Sequence, residues 1–408
     1  MIILDTNILR SFALDSATTD LLMTIRTVGA ENVAVPWVVL EELVAQRAIP
    51  FREKYEAAQA ALDSVRRAAP WDVQAHLPPL DLERVHDHWR NEYLGVVDSI
   101  PTSEAALREA TTREANSLPP CKAVQAGDRR EKVKTGGRDA AIWLTAVEYA
   151  RDHPDETVYF VSNNTKDFGN GTTYSHPMDL DLSGIGEHFV HLTSLGAVLK
   201  RFTEETDLAE EQAVAALTSE ATRDVVADAV TAMLNSSRRR THQFEVTLGY
   251  GSEDLDTQLI EMASSEATQA RVWACTWRTA LHHVTDVKAY RIGDRVWYTA
   301  TVEWMVTGVA VTNGFPVPTG FYPAAFSWET RMLIPEDPSV TPTILRNHPP
   351  RPLHPGELHI LKADFPSLAI ESERDDLPRP YDVLRFMHVP SPAELAMIQA
   401  LDQAEEAE

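Results

Sequence analysis

The chain opens with Met1-Ile2-Ile3-Leu4 running straight into Asp5-Thr6-Asn7, and helix-like apolar spacing resumes at Ile8-Leu9. A short apolar run bounded by polar residues reads as a strand buried on both faces, as parallel sheets require. Parallel strands need crossover connections and covering layers, so this opening points to an α/β architecture. An Asp at the end of such a strand stands where open α/β sheets bind ligands. The same position also suits a plain helix N-cap. The choice depends on whether other carboxylates reach the same sheet edge.

The pattern recurs down the first half of the chain. Helical spacing over Ser16–Val28 ends at Gly29, and a second buried run, Val33-Ala34-Val35, ends at Pro36. Pro36 suits a first helical turn, and Val39, Leu40, Leu43 and Val44 supply that helix's apolar face. Two further helical tracts are expected, over Pro50–Ala69 and Asp81–Asn116, forming an insertion over about 50–117. After Gly136-Gly137 comes a helix from Arg138 with an apolar wrap, then the strand Val158–Ser162. Strand Phe189–Leu192 and helix Ser194–Phe202 close a first domain at 203. The sum is an α/β domain built on a parallel sheet.

Four carboxylates fall at equivalent points of that sheet. Asp5 follows the first strand, and Glu42 lies six residues beyond Pro36. Asp139 opens the helix after Gly136-Gly137, and Asp167 lies just past the Val158–Ser162 strand. Acids converging on one edge repel unless a cation lies between them. Hard oxygen ligands with room for water favour Mg²⁺ or Mn²⁺, while the absence of His and Cys from these stretches argues against zinc. Such a site supports metal-assisted phosphodiester hydrolysis. Thr6, Asn7, Ser162 and Asn163 are placed to orient the ligands.

Asp5-Thr6-Asn7, Pro36 to Glu42-Leu43, Gly136-Gly137-Arg138-Asp139-Ala140-Ala141-Ile142-Trp143 and Phe160 to Phe168 resemble the four acidic motifs of PIN-domain nucleases. The resemblance is closest to longer members with helices inserted before the third acid. It implies a three-layer α/β/α fold with a central parallel sheet, divalent-metal dependence and RNA as the usual substrate, with Asp5, Glu42, Asp139 and Asp167 in the metal positions. Two features depart from the pattern. Glu41 rivals Glu42, and position 164 is Asn where many members carry a further acid, which weakens the case for a second metal.

The formal net charge of −24 argues against passive adhesion to nucleic acid or anionic membrane. Against that background the basic stretch Lys122, Arg129, Arg130, Lys132, Lys134 and Arg138 stands out. Substrate phosphate is expected at Lys134 and Arg138 first, being nearest Asp139, then at Arg129 and Arg130. The alternative for this stretch is a solvated loop.

Beyond 203 the character changes. One helix is expected to about Asn235, followed by the basic run Ser236–Arg240 as a linker, so that 204–240 forms a connection. Residues 241–392 read as an α+β, β-rich domain, with a helix over Leu259–Ala270, strand alternation at Arg295–Trp304 and a Pro-rich stretch from Thr341 to Pro392. Trp273, Trp277, Trp297, Trp304 and Trp328 are expected in its core rather than as a base-stacking platform. Residues 393–408 form an acidic tail. This half suggests a protein partner or self-association. His86/His88 and His282-His283 are badly spaced for metal binding.

Two cysteines, Cys121 and Cys275, are too few for a disulfide framework, and no apolar run reaches the ~18–20 residues of a membrane span. A cytoplasmic protein is expected. The leading expectation is a metal-dependent endoribonuclease. The alternatives are a catalytically weak PIN-fold scaffold that binds RNA or protein, and a phosphoryl-accepting α/β domain with Asp5 as acceptor.

Overall fold

The computed structural model describes residues 1–125, 132–207, 210–235, 244–248, 268–312, 320–337, 339–354 and 357. The chain divides into two compact units, Met1–Thr206 with Tyr290–Arg295, and Asp207–Ala289 with Val296–Glu408.

The first unit begins β1 (Ile2–Leu4), α1 (Thr6–Arg10), α2 (Ala17–Thr27), β2 (Val33–Pro36), α3 (Trp37–Ala68), α4 (Leu82–Val96), β3 (Asp98–Ile100) and α5 (Glu104–Asn116). It continues with β4 (Lys122–Gln125), β5 (Lys132–Thr135), α6 (Gly137–Asp152), β6 (Val158–Val161), α7 (Thr165–Phe168), α8 (Met178–Asp181), β7 (Phe189–Leu192), α9 (Leu195–Phe202) and β8 (Glu204–Glu205). Five strands form one sheet in the order β3-β2-β1-β6-β7. Every pairing in it is parallel, with Ile3 beside Ala34 on one side and Phe160 on the other. Strand order reverses between β1 and β6, so the crevice used by open α/β sheets lies directly above Asp5. β1, β2 and β6 are buried along their whole length, which is why they read as unbroken apolar runs.

Two expectations about the helical insertion are corrected. The helix after β2 does not stop before Pro50; α3 runs unbroken through it to Ala68. Pro50 is exposed, so water can serve the carbonyl that its ring deprives of an N–H partner. The tract Asp81–Asn116 is not one helix but α4, β3 and α5. β3 is the exposed edge strand, and its polar Asp98-Ser99 conceals it from a search for buried runs.

Helices α5, α6 and α8 are locked by one buried polar network. The Arg113 guanidinium donates to both Asp181 oxygens at 2.8 Å, and the Trp143 indole N–H donates to Asp181 Oδ2 at 2.8 Å. Arg113 is 2% exposed and also donates to Glu109 at 2.9 Å, so losing Asp181 would leave this buried guanidinium half-matched, at a cost of about 3 kcal/mol.

The second unit comprises α10 (Glu210–Leu217), α11 (Glu220–Leu234), β9 (Phe244–Leu248), β10 (Thr268–Ile292), β11 (Arg295–Thr312), β12 (Phe321–Pro335) and β13 (Thr343–Asn347). The single helix expected to Asn235 is therefore two, because Ser219 caps α11 by accepting from Thr222 N at 3.2 Å. Both helices share one core with the strands, through Leu217, Val226 and Val230 beside Trp273, Trp304 and Trp328. Strands β9, β10, β11 and β12 close on themselves in a barrel-like ring, with β13 outside β12. Gly308 permits the close approach of β11 to β10: a Cβ there would lie 2.1 Å from the Cys275 carbonyl oxygen. The expected helix Leu259–Ala270 falls outside the described residues to position 267, and Thr268–Ala270 belong to β10 instead.

The tryptophan expectation agrees with the structure where it is described. Trp273, Trp297, Trp304 and Trp328 are buried, and Trp304 and Trp328 satisfy their N–H groups internally, on Thr330 Oγ1 and the His348 carbonyl. The Trp277 side chain and the linker run Ser236–Arg240 lie outside the described residues. Among the described residues no helix is long and apolar enough to cross a membrane.

Candidate active site

Each of the four acids is carried to the same sheet edge by a different piece of backbone. Asp5 follows the last residue of β1 and is 1% exposed. It occupies the N-cap position of α1, yet its side chain makes no capping hydrogen bond. Its Oδ2 instead accepts from the Ser162 hydroxyl at 2.7 Å and from the Asn7 amide at 3.5 Å. Ser162 comes from the end of the neighbouring strand β6, so the switch point itself fixes the Asp5 rotamer.

Glu42 projects from the second turn of α3, where the Thr6 hydroxyl donates to Oε2 at 3.0 Å and Gln46 donates to Oε1 at 3.3 Å. Its neighbour Glu41 points elsewhere, bound by the Arg90 guanidinium of α4 at 3.1 and 3.2 Å. Asp139 is the third residue of α6. That helix runs antiparallel to the strands, so its N-terminus meets their carboxyl ends. Gly136, with φ +107°, makes the turn into α6, and a Cβ there would come within 2.8 Å of Cys121 Cα. Asp167 sits in the short helix α7 and is held by its neighbour Phe168, fully buried against Trp143 and Phe160.

The four carboxylates sense one another. Burial pushes the Asp139 carboxyl up to about 6, and the negative charges of Asp167, Asp5 and Glu42 add to that rise in that order. Asp5 is likewise raised, chiefly by burial, with the Ser162 hydrogen bond pulling it partly back. No hydrogen bond or ion pair among the described residues reaches the Asp139 carboxylate. No three of the acids have ligand atoms within 4.8 Å of one another. Among the described residues the trio that does meet this distance, His282, Glu303 and Glu357 in the second unit, has the Arg351 guanidinium donating to both glutamates.

Two cations reach the edge of the cluster. Arg138 contacts Glu42 Oε1 at 3.0 Å, and Lys122 spans both oxygens of Asp167 at 2.5 and 2.8 Å. Lys134, ranked first from its position in sequence, turns away and donates to the Ala115 carbonyl. The hairpin register explains the exchange. Lys122 pairs with Thr135 and Lys134 with Ala123, so the two lysines project from opposite faces of the hairpin. Arg129 and Arg130 lie outside the described residues. Asn163 is exposed with no side-chain hydrogen bond among the described residues, whereas the Asn164 amide donates to Asp167 Oδ2 at 2.9 Å. A cleft of about 470 Å³ opens beside the cluster, with Val38, Glu42, Glu114, Gly136, Arg138 and Asp139 in its lining.

A parallel α/β sheet with acids gathered at its switch point defines a class of metal-assisted phosphoryl chemistry. Residues 2–168 match the sequence model of the family described as PIN domain, and the N-terminal unit of this chain is a PIN domain. PIN domains are generally metal-dependent nucleases, using divalent ions such as Mg²⁺ or Mn²⁺. No curated protein and no solved structure matches the chain.

The donor set fits such an ion. It is all oxygen, and it sets the half-buried Asp139 carboxylate, without a hydrogen-bond or ion-pair partner among the described residues, beside three further acids.

Proposed function

We propose that the N-terminal domain is a Mg²⁺- or Mn²⁺-dependent endoribonuclease. The observation that carries this reading is Asp139, a half-buried carboxylate with no hydrogen-bond or ion-pair partner among the described residues, beside Asp5, Glu42 and Asp167. Asp5, Glu42 and Asp139 would hold the ion, with Asp167 completing the set. When bound, the ion supplies a water of lowered pKa and stabilises charge on the phosphate oxygens. Ser162 and Thr6 orient the ligands by donating to Asp5 and Glu42. Arg138, exposed at the cleft mouth, offers its guanidinium to the incoming phosphate. RNA is favoured because the acidic motifs resemble those of PIN ribonucleases. The two free cysteines accord with a reducing cytoplasm as the place of action.

The test is cleavage of labelled single-stranded and hairpin RNA, with DNA of the same sequence beside it. Internal cuts in RNA with Mn²⁺ and none in EDTA are expected. Equal rates on DNA would overturn the choice of substrate, and full activity in EDTA would overturn the metal. A second reading has an observation of its own. Lys122 and Arg138 already engage two of the four acids, as they would in a domain that holds RNA or a partner without turnover, with the second unit as its interaction module. RNA binding without cleavage under any divalent ion would favour it.

A further inference from the structure

Asp167 differs from the other three acids in how completely its oxygens are used. Oδ1 accepts from the Lys122 ammonium at 2.5 Å, while Oδ2 accepts from the same ammonium at 2.8 Å and from the Asn164 amide at 2.9 Å. The Asp167 side chain is only 9% exposed, whereas Lys122 is 47% exposed, so the ammonium reaches a buried carboxylate from the solvent side. With two donors on Oδ2 and one on Oδ1, Asp167 keeps one lone-pair direction, on Oδ1, for a metal ion.

The backbone that carries Lys122 is fixed at both ends of its hairpin. Its predecessor Cys121 is buried, and the Cys121 Cα packs against the Gly136 turn. β5 then passes through that turn into α6, which bears Asp139. Lys122 is thus tied to the same short structure that sets the third acid. It is also the one cation among the leading charges acting on Asp139, opposing the three carboxylates there. Its ammonium therefore lies on the Asp139–Asp167 side of the cluster.

We propose that Lys122 takes the place of a second metal ion, so that this domain works with one divalent ion and a built-in ammonium. Charge supports the assignment. Four carboxylates are balanced by one divalent ion together with Lys122 and Arg138, whereas a second ion would leave the site cationic before substrate arrived. Asn164 acts in the same sense, placing a donor on Asp167 where a fifth acid would have added a ligand. The ammonium also stands ready to meet a negatively charged phosphate oxygen without first having to bind from solution. This inference rests on the nuclease reading above, and metal counting separates the two.

The experiment is Mn²⁺ titration of the full chain by calorimetry, alongside Lys122→Met and Lys122→Arg. The native protein is expected to bind one Mn²⁺. Lys122→Met is expected to reveal a second site, tightened by about tenfold or more relative to any weak second binding in the native chain. Lys122→Arg keeps the charge and should keep the single site. Two native sites of similar affinity would overturn the inference and leave the nuclease reading standing. So would a Lys122→Met variant that still binds one ion. No Mn²⁺ binding by any of the three would overturn both.

Discussion

Asp5→Asn and Asp139→Asn are each expected to lower Mn²⁺-dependent RNA cleavage by about a hundred- to a thousandfold. Both changes preserve shape and remove one negative charge. Asp5 is buried and already hydrogen-bonded to Ser162, so the Asn variant can keep that contact and the local fold. What it loses is an anionic oxygen at the switch point of the sheet. Asp139 has no hydrogen-bonding partner among the described residues to lose, which makes its substitution the cleaner of the two. The adjacent glutamates supply an internal control. Glu42→Gln should cost about a hundredfold, whereas Glu41→Gln should stay within about threefold, because Glu41 is spent on Arg90 of α4. Rates on a labelled RNA, with circular dichroism to check folding, decide the matter. Asp5→Asn or Asp139→Asn within tenfold of the native rate would refute the assigned roles, as would a larger loss at Glu41 than at Glu42.

The second large effect is on stability. With no metal bound, the charged Asp139 carboxylate opposes folding, because burial and three like charges raise it from 3.8 to about 6. The penalty is present in full above pH 6. It shrinks as the pH falls from about 6 to 4, where the folded state takes up a proton before the unfolded state does. A bound divalent ion reverses this trend, since it needs the carboxylate ionised. At pH 7, Mn²⁺ at a hundred times its Kd is therefore expected to raise Tm by roughly 5–10 °C over EDTA. That difference should dwindle as the pH is lowered through 6 towards 5. Asp139→Asn in EDTA should be at least as stable as the native protein, and Mn²⁺ should hardly move it. Thermal unfolding followed at pH 7, 6 and 5 reads all three expectations. A native Tm indifferent to Mn²⁺ at pH 7, or a shift that persists unchanged at pH 5, would contradict them.

The sheet was legible in sequence wherever its strands are buried on both faces. Ile2–Leu4, Val33–Val35 and Val158–Val161 show as short apolar runs because a parallel strand in mid-sheet has no polar side to display, and the edge strand Phe189–Leu192 shows because it is still mostly apolar. Asp98–Ile100 did not show, since an edge strand tolerates polar residues. Pro50 misled as a helix end because the sequence does not reveal that its turn faces solvent. Asp5 and Asp167 were placed from strand ends and Asp139 from a helix start. Glu42 was preferred to Glu41 on its spacing from Pro36 and the following Leu43 alone; the Arg90 contact that engages Glu41 comes from a residue 49 positions away and has no local signature. The basic side of the site was the least legible part. Nearness in sequence to Asp139 favoured Lys134, but the hairpin's two-residue alternation sends that side chain to the other face. The same hairpin brings in Lys122, which is 45 residues from Asp167 in sequence. The Arg113–Asp181–Trp143 network joins helices distant in sequence and has no local signature.

The central claim is that Asp5, Glu42 and Asp139 share one divalent ion. Its most direct test is an anomalous difference map from crystals of the native protein grown with Mn²⁺. A single peak within coordination distance of Asp5 and Asp139, with Glu42 reached directly or through water and Lys122 still on Asp167, is the expected result. A map with no peak at this edge, or with its only Mn²⁺ bound away from Asp5 and Asp139, would contradict the claim.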